Sequence, residues 1–201
     1  MRDNDAMIKK RSIILTLSYI LVVISIITLD QSTKWFFEKH YMLHSSHDSI
    51  LKYNNDSKLI ASLGNITSLK ESWVRLDFTY VRNPGAAWGL LGAMNESFRK
   101  YFFSIVTVLA IFLIIYLFIK TPIKHKLTRL GYSFIIGGAI GNCIDRLYLN
   151  YVIDWIHVEW NIFKWYHSYP VFNVADSFIT IGVIFLIGLL IFNVEKEKIR
   201  K

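Results

Sequence analysis

The chain has a single cysteine, Cys143, among 201 residues. One thiol closes no intramolecular disulfide. No histidine stands near it in sequence to activate a thiolate, so Cys143 reads as a small packing residue. The HExxH zinc-protease pattern and the GxSxG nucleophile elbow are both missing. His157 and His167 are isolated, which suits interfacial groups better than metal ligands. Charge is scarce as well: 19% of residues are Asp, Glu, Lys or Arg, against 53% hydrophobic. Four stretches hold no charged residue at all: Ser12–Leu29, Tyr101–Ile119, Leu130–Ile144 and Ser177–Val194.

Those four stretches set the class. A bilayer hydrocarbon core of about 30 Å needs roughly 17 to 25 helical residues. Three stretches reach that length alone, and the third does so once extended to Thr128 on one side and past Asp145 on the other. The expected architecture is an α-helical integral membrane protein with four transmembrane helices, near 12–30, 100–120, 128–148 and 176–195. Extracytoplasmic segments near 31–99 and 149–175 would join them, and residues 1–201 would form one membrane-embedded domain.

The net charge of +8 could suggest nucleic acid, but its placement argues for topology. Arg2, Lys9, Lys10 and Arg11 precede the first stretch. Lys120, Lys124, Lys126 and Arg129 fill the link between the second and third, and Lys196, Lys198, Arg200 and Lys201 follow the fourth. With four spans all three clusters fall on one side, so the positive-inside rule puts both termini in the cytoplasm. The first stretch is too long for a signal-peptide core and is followed by Asp30-Gln31-Ser32-Thr33-Lys34, not a small-x-small cleavage site. It reads as a retained helix.

The outer segments have their own signals. His40–Lys70 is polar and rich in Ser and Asn, as a solvated loop would be. From Trp73 to Arg82 the pattern alternates, with Val74, Leu76, Phe78 and Tyr80 on one face and Arg75, Asp77 and Thr79 on the other. Period two predicts a strand, ended by Asn83-Pro84-Gly85, and hence a small sheet at the membrane surface. All six tryptophans lie in the outer segments. Indoles favour the interface, so Ile153, Trp155, Ile156, Trp160, Ile162, Phe163, Trp165 and Tyr166 suggest a second outer segment dipping into the headgroup layer as a short interfacial helix or loop. The competing reading is a small core built on those aromatics.

Polar residues collect at the outer level: Asp30, Gln31, Lys34, Asn83, Gly85, Asn142, Asp145, Arg146, Asp154, Asn173 and Asp176. Ionisable groups near hydrocarbon pair or serve function. Asp30 and Lys34 are one helical turn apart, which favours a structural ion pair. Gly138, Asn142 and Arg146 share a face of helix 3, and Gly137-x-x-x-Gly141 permits close helix approach. Arg146 could hold a carboxylate bidentately, with Asp145 the nearest candidate. Asp176 opens helix 4, where an aspartate is more often a cap than a catalyst. Asp154 sits in the apolar frame Val152-Ile153-Asp154-Trp155-Ile156. Two aspartates in one desolvated site would share a proton, providing a base for water and an acid for the leaving amine. The helix 4 N-terminus favours the ionised form of Asp176, leaving the proton on Asp154.

Five segments together resemble the lipoprotein signal peptidase (signal peptidase II) family, in order and over nearly the whole chain. They are Asp30-Gln31-Ser32-Thr33-Lys34, Asn83-Pro84-Gly85-Ala86-Ala87-Trp88-Gly89, the run from Gly137 to Arg146, Val152–Ile156, and Phe172-Asn173-Val174-Ala175-Asp176-Ser177. The resemblance implies a membrane aspartyl endopeptidase that removes the signal peptide of diacylglyceryl-modified bacterial prolipoproteins just before the lipidated cysteine. It implies Asp154 and Asp176 as the catalytic dyad. Asn83, Gly85, Gly138, Asn142, Arg146, Asn173 and Ala175 would shape the site, with Asp30, Lys34 and Asp145 holding it together. It further implies no metal or cofactor, a bacterial inner-membrane location with the site on the outer surface, contact with membrane lipid, and inhibition by globomycin. A monomer is expected, with no nucleic-acid partner. The stretch 40–70 is longer than usual for the family and would lengthen the sheet or form a lid.

Two rivals make different demands. A transporter with a carboxylate relay would spread charge through membrane depth, whereas here the mid-membrane runs are bare. A membrane scaffold using Asp and Arg only for helix pairing would tolerate Asp154→Asn.

Overall fold

The computed structural model describes residues 2–44, 73–85, 95–163 and 165–192. Among them the order is α1 (Arg2–His44), β1 (Trp73–Asn83), α2 (Glu96–Lys120), α3 (Lys126–Tyr148), β2 (Val152–Ile162), β3 (Trp165–Ser168) and α4 (Val174–Ile191). The expected lid or loop at 40–70 is helical up to His44, and its remainder lies outside the described residues, as does Ala86–Gly89. α1 runs well past Asp30 because residues 31–44 contain no Gly or Pro to end it.

Three helical segments are long and apolar enough to cross a membrane: Lys10–His40, Tyr101–Lys120 and Val174–Ile191. Their surfaces carry large exposed apolar side chains, among them Leu21, Ile24, Leu109, Phe112, Ile184 and Leu190. In water such faces would be a liability; against acyl chains they are the expected finish. α3 has 23 residues, about 34 Å at ~1.5 Å per residue. It is also the polar helix: Arg129, Ser133, Asn142 and Asp145 are all buried. Protein covers what lipid would penalise.

The chain divides into two compact units. The helical unit comprises Met1–Asp30, Ser104–Ile144 and Val174–Lys201. Its packing is set by glycines on two faces of α3. A Cβ on Gly137 would lie 2.9 Å from Cβ of Ile26, and one on Gly141 would lie 2.6 Å from Oδ2 of Asp30, so this edge seats α1. On the other edge a Cβ on Gly131 would meet Leu186 at 2.7 Å, so this edge seats α4. The Gly137-x-x-x-Gly141 spacing thus does what such spacing predicts, letting backbones approach closely. Near the start of α3, the Arg129 guanidinium lies 4.2 Å from the Phe118 ring centroid and 5.5 Å from that of Tyr19. The Tyr19 hydroxyl donates to the Lys126 carbonyl at 3.1 Å. The cation is held by ring faces and a carbonyl, the Thr121 oxygen at 3.3 Å.

The second unit comprises Gln31–Phe103 and Asp145–Asn173. Its centre is a three-stranded antiparallel sheet in the order β1-β2-β3. The second outer segment is therefore strand where an interfacial helix or loop was expected. Its aromatics split. Trp155 is buried, stacked on Phe37 of α1 at 4.4 Å between centroids, with Phe78 at 5.6 Å. Phe163 and Trp165 at the β2–β3 turn are 89% and 79% exposed. The small-core reading thus holds for Trp155, whereas Phe163 and Trp165 lie at the surface. The alternation in β1 gives the strand as expected, with one irregularity: Phe78 pairs with Ile156 but Val81 pairs with Asp154. Thr79 and Tyr80 together face the single residue Trp155, a β-bulge.

Candidate active site

Each expected site residue has a definite place within its own unit. In the sheet unit, Asp154 lies on β2 and is 2% exposed. Its Oδ2 accepts from Asn83 Nδ2 at 2.9 Å and its Oδ1 from Asn173 Nδ2 at 2.7 Å. Asn173 also donates to the Ile153 carbonyl at 3.2 Å. The turn that ends β1 orients Asn83, because its Oδ1 accepts the Gly85 amide at 2.9 Å. Gly85 has φ of 104°, a left-handed conformation open to glycine, and a Cβ there would strike Phe103 at 2.4 Å. That explains Asn83-Pro84-Gly85 physically: a side-chain-to-backbone turn with no room for a larger residue.

Behind Asp154 stands a second buried carboxylate. Asp145, at the C-terminal end of α3, meets Lys34 Nζ at 2.9 Å, with both side chains 2% exposed. It also accepts from Gln31 Nε2 at 2.9 Å and from the Ile153 amide at 3.1 Å. The last bond matters most for the site, since Ile153 precedes Asp154. Lys34 and Gln31 fix Asp145, and Asp145 fixes the entry of β2. Gln31 belongs among the supporting residues through its bond to Asp145, and its place inside the Asp30–Lys34 segment is the signal for it in the sequence. Arg146 follows Asp145 in the last turn of α3 and is half-buried.

In the helical unit, Asp176 lies in the first turn of α4, half-buried, and its Oδ1 accepts from Asn142 Nδ2 at 2.7 Å. The first turn of α4 also draws a carboxylate from α1. Asp30, fully buried, accepts the Ala175 amide at 2.9 Å, so the carboxylate sits where the α4 dipole favours it. Gly138 makes room for this helix start, since a Cβ there would come within 2.3 Å of the Ala175 carbonyl oxygen. Ala175 itself is 0% exposed. Asp30, Gly138, Gly141, Asn142 and Ala175 therefore act together on the first turn of α4.

The outer parts of the sheet carry further charge. Arg75 pairs with Asp77 at 2.7 Å and with Glu159. Burial pushes the Glu159 carboxyl up, but the Tyr166 hydroxyl, Arg75 and His157 outweigh it and leave it below the usual range. Glu38 of α1 accepts from Tyr80, and from Tyr151 at 3.2 Å. Burial foremost, with Glu38 adding to it, raises both phenols above the ordinary tyrosine value, so each stays a neutral donor. No group of three or more His, Cys, Asp or Glu able to hold a metal ion occurs among the described residues.

Apolar spanning helices, a small sheet and buried carboxylates held by amide donors define a membrane protein with the parts of a carboxylate-based enzyme. A family model described as signal peptidase (SPase) II matches residues 22–192. The lipoprotein signal peptidase of Pasteurella multocida is 35% identical over 170 residues, spanning 85% of this chain and 84% of that protein. That of Syntrophus aciditrophicus is 34% identical over 173 residues, spanning 86% and 91%. A solved bacterial membrane enzyme is 29% identical, with a TM-score of 0.58 covering 89% of this chain and 90% of that one. A second matches with a TM-score of 0.55 at 30% identity. The chain belongs to the signal peptidase II family: it is a bacterial membrane peptidase.

Proposed function

We propose that this peptidase removes the signal peptide from diacylglyceryl-modified prolipoproteins, cutting just before the lipidated cysteine, with Asp154 and Asp176 as its catalytic pair. The observation that carries the reading is Asp154 itself. It is a buried carboxylate with an asparagine amide on each oxygen, in a chain of this family. Asn173, one of those two amides, stands three residues before Asp176 in sequence.

The chemistry follows from two carboxyls sharing one proton, titrating as a pair. The ionised carboxylate takes a proton from water as its oxygen attacks the scissile carbonyl carbon. The protonated partner passes its proton to the cysteine nitrogen as the carbon–nitrogen bond breaks. Asn83, Asn173 and Asn142 hold the two carboxylates in their rotamers, the preorganisation such catalysis requires. Gly85, Gly138, Ala175 and Arg146 shape the surroundings, while Asp30, Lys34 and Asp145 fix the backbone beneath. The working enzyme is one peptidase domain in the inner membrane, with cytoplasmic termini and the scissile bond met at the outer surface. The acyl chains lie against apolar helix faces in lipid. Globomycin-type inhibitors compete for the same carboxyls.

A gel-shift cleavage assay tests this, comparing a diacylated precursor with the same precursor left unlipidated. The lipidated form should be cut, with mass spectrometry placing the lipidated cysteine at the new N-terminus. Equal cutting of both precursors, or a cut elsewhere, would overturn the substrate assignment.

A further inference from the structure

We propose that Glu38 is a positioning residue for Asn83 and Asp154, a role that rests on Asp154 being catalytic. Glu38 lies outside all five family-like segments, on the stretch of α1 beyond Asp30. Its side chain is 21% exposed. One carboxylate there collects three donors: the Tyr80 hydroxyl, the Tyr151 hydroxyl at 3.2 Å and Arg82 Nη2 at 3.3 Å. Arg82 Nε also donates to the Tyr80 oxygen at 3.0 Å. The guanidinium lies 5.7 Å from the Tyr80 ring centroid and 5.1 Å from that of Tyr151.

The positions of these donors give the cluster its meaning. Tyr80 is in the β-bulge, Arg82 immediately precedes Asn83, and Tyr151 immediately precedes β2. Glu38 therefore grips both strands just ahead of the residues that meet at Asp154. The bulge is the vulnerable point. Strand side chains alternate faces, so a slip of one residue sends every later side chain to the opposite face. If the extra residue at Thr79–Tyr80 were absorbed, Val81 would leave its pairing with Asp154, and Asn83 would turn away from that carboxylate. Holding the Tyr80 hydroxyl from α1 fixes the bulge and with it the 2.9 Å bond from Asn83 to Asp154. Phe37, the preceding residue, stacks on Trp155 opposite the bulge and seats the helix there.

Purified Glu38→Ala and Glu38→Gln test the role through turnover of a diacylated precursor and through hydrogen exchange of residues 81–85, where the Gly85 amide reports the Asn83 side chain. Glu38→Ala should lose about ten- to a hundredfold in kcat with KM within about twofold, the scale expected of misplaced groups. Glu38→Gln, which keeps one acceptor oxygen for a phenol, should recover most of it. Adding Glu38→Ala to Asn83→Ala should cost nothing further in kcat. Exchange at Gly85 should quicken in Glu38→Ala whether or not the precursor is cut, which separates this inference from the catalytic assignment. Wild-type kcat with unchanged Gly85 exchange would overturn it, as would full additivity of the two alanine variants.

Discussion

Replacing Asp145 by asparagine probes the structure behind the site. Asp145 and Lys34 are each 2% exposed at the side chain and 2.9 Å apart. Asparagine keeps the shape but removes the charge, so the buried Lys34 ammonium loses the carboxylate that stands 2.9 Å from it. Breaking a buried pair from one side costs about 3–5 kcal/mol. For a chain of this length each kcal/mol corresponds to roughly 2–4 °C in Tm, which puts the expected drop at about 6–20 °C. Lys34→Met should cost a similar amount, because the buried Asp145 carboxylate loses its ammonium partner and keeps the neutral donors Gln31 and the Ile153 amide. The double variant Lys34→Met/Asp145→Asn should fall far short of the sum, because both charges of the pair are removed together. Thermal unfolding in one detergent, read for all four proteins, completes the cycle. Additive losses, or an Asp145→Asn drop under about 1 kcal/mol, which is the scale of an exposed pair, would refute the reasoning.

Other outcomes follow from single contacts. Gly138→Ala should lower both stability, by about 1–3 kcal/mol for an overpacked contact, and activity, because its Cβ would meet the Ala175 carbonyl at 2.3 Å. Gly188→Ala, on the same helix system but with nothing within 4 Å, should be neutral or stabilising in the same melt. Glu159 titrates below its ordinary value. A depressed carboxyl contributes stability above its unfolded pKa and loses it as pH falls through the folded one. Glu159→Gln should therefore flatten the fall in Tm below about pH 4.5, and an unchanged acid slope would contradict the assignment. Trp165, left as the sole tryptophan, should be quenched by lipids brominated near the headgroup more than by lipids brominated mid-chain, if the exposed β2–β3 turn sits at the interface.

Much of the fold is legible in the sequence. Uncharged runs announce membrane helices because length and apolarity are local properties, and β1 declared itself through strict alternation. β2 was harder. Trp155, Trp160 and Trp165 suit a strand face and a membrane interface equally well, and periodicity cannot rank the two. The partners of the buried polar groups were hidden for a different reason. Spacing could point Lys34 toward Asp30 one turn away, but Asp145 reaches it only through the fold. Asp176 stands at the start of α4 in the sequence, but that the Ala175 amide is met by Asp30 from α1 follows only from the fold. Glu38 gave no sign, since its donors come from a bulge and a turn that exist only in the folded chain.

The central claim is that both Asp154 and Asp176 must be carboxyls for the peptide bond to break. Single-turnover cleavage of a diacylated precursor by purified Asp154→Asn and Asp176→Asn, each shown by its melt to be folded, tests it most directly. The account predicts no detectable product from either variant. Cleavage by either one at a rate near wild type would contradict it.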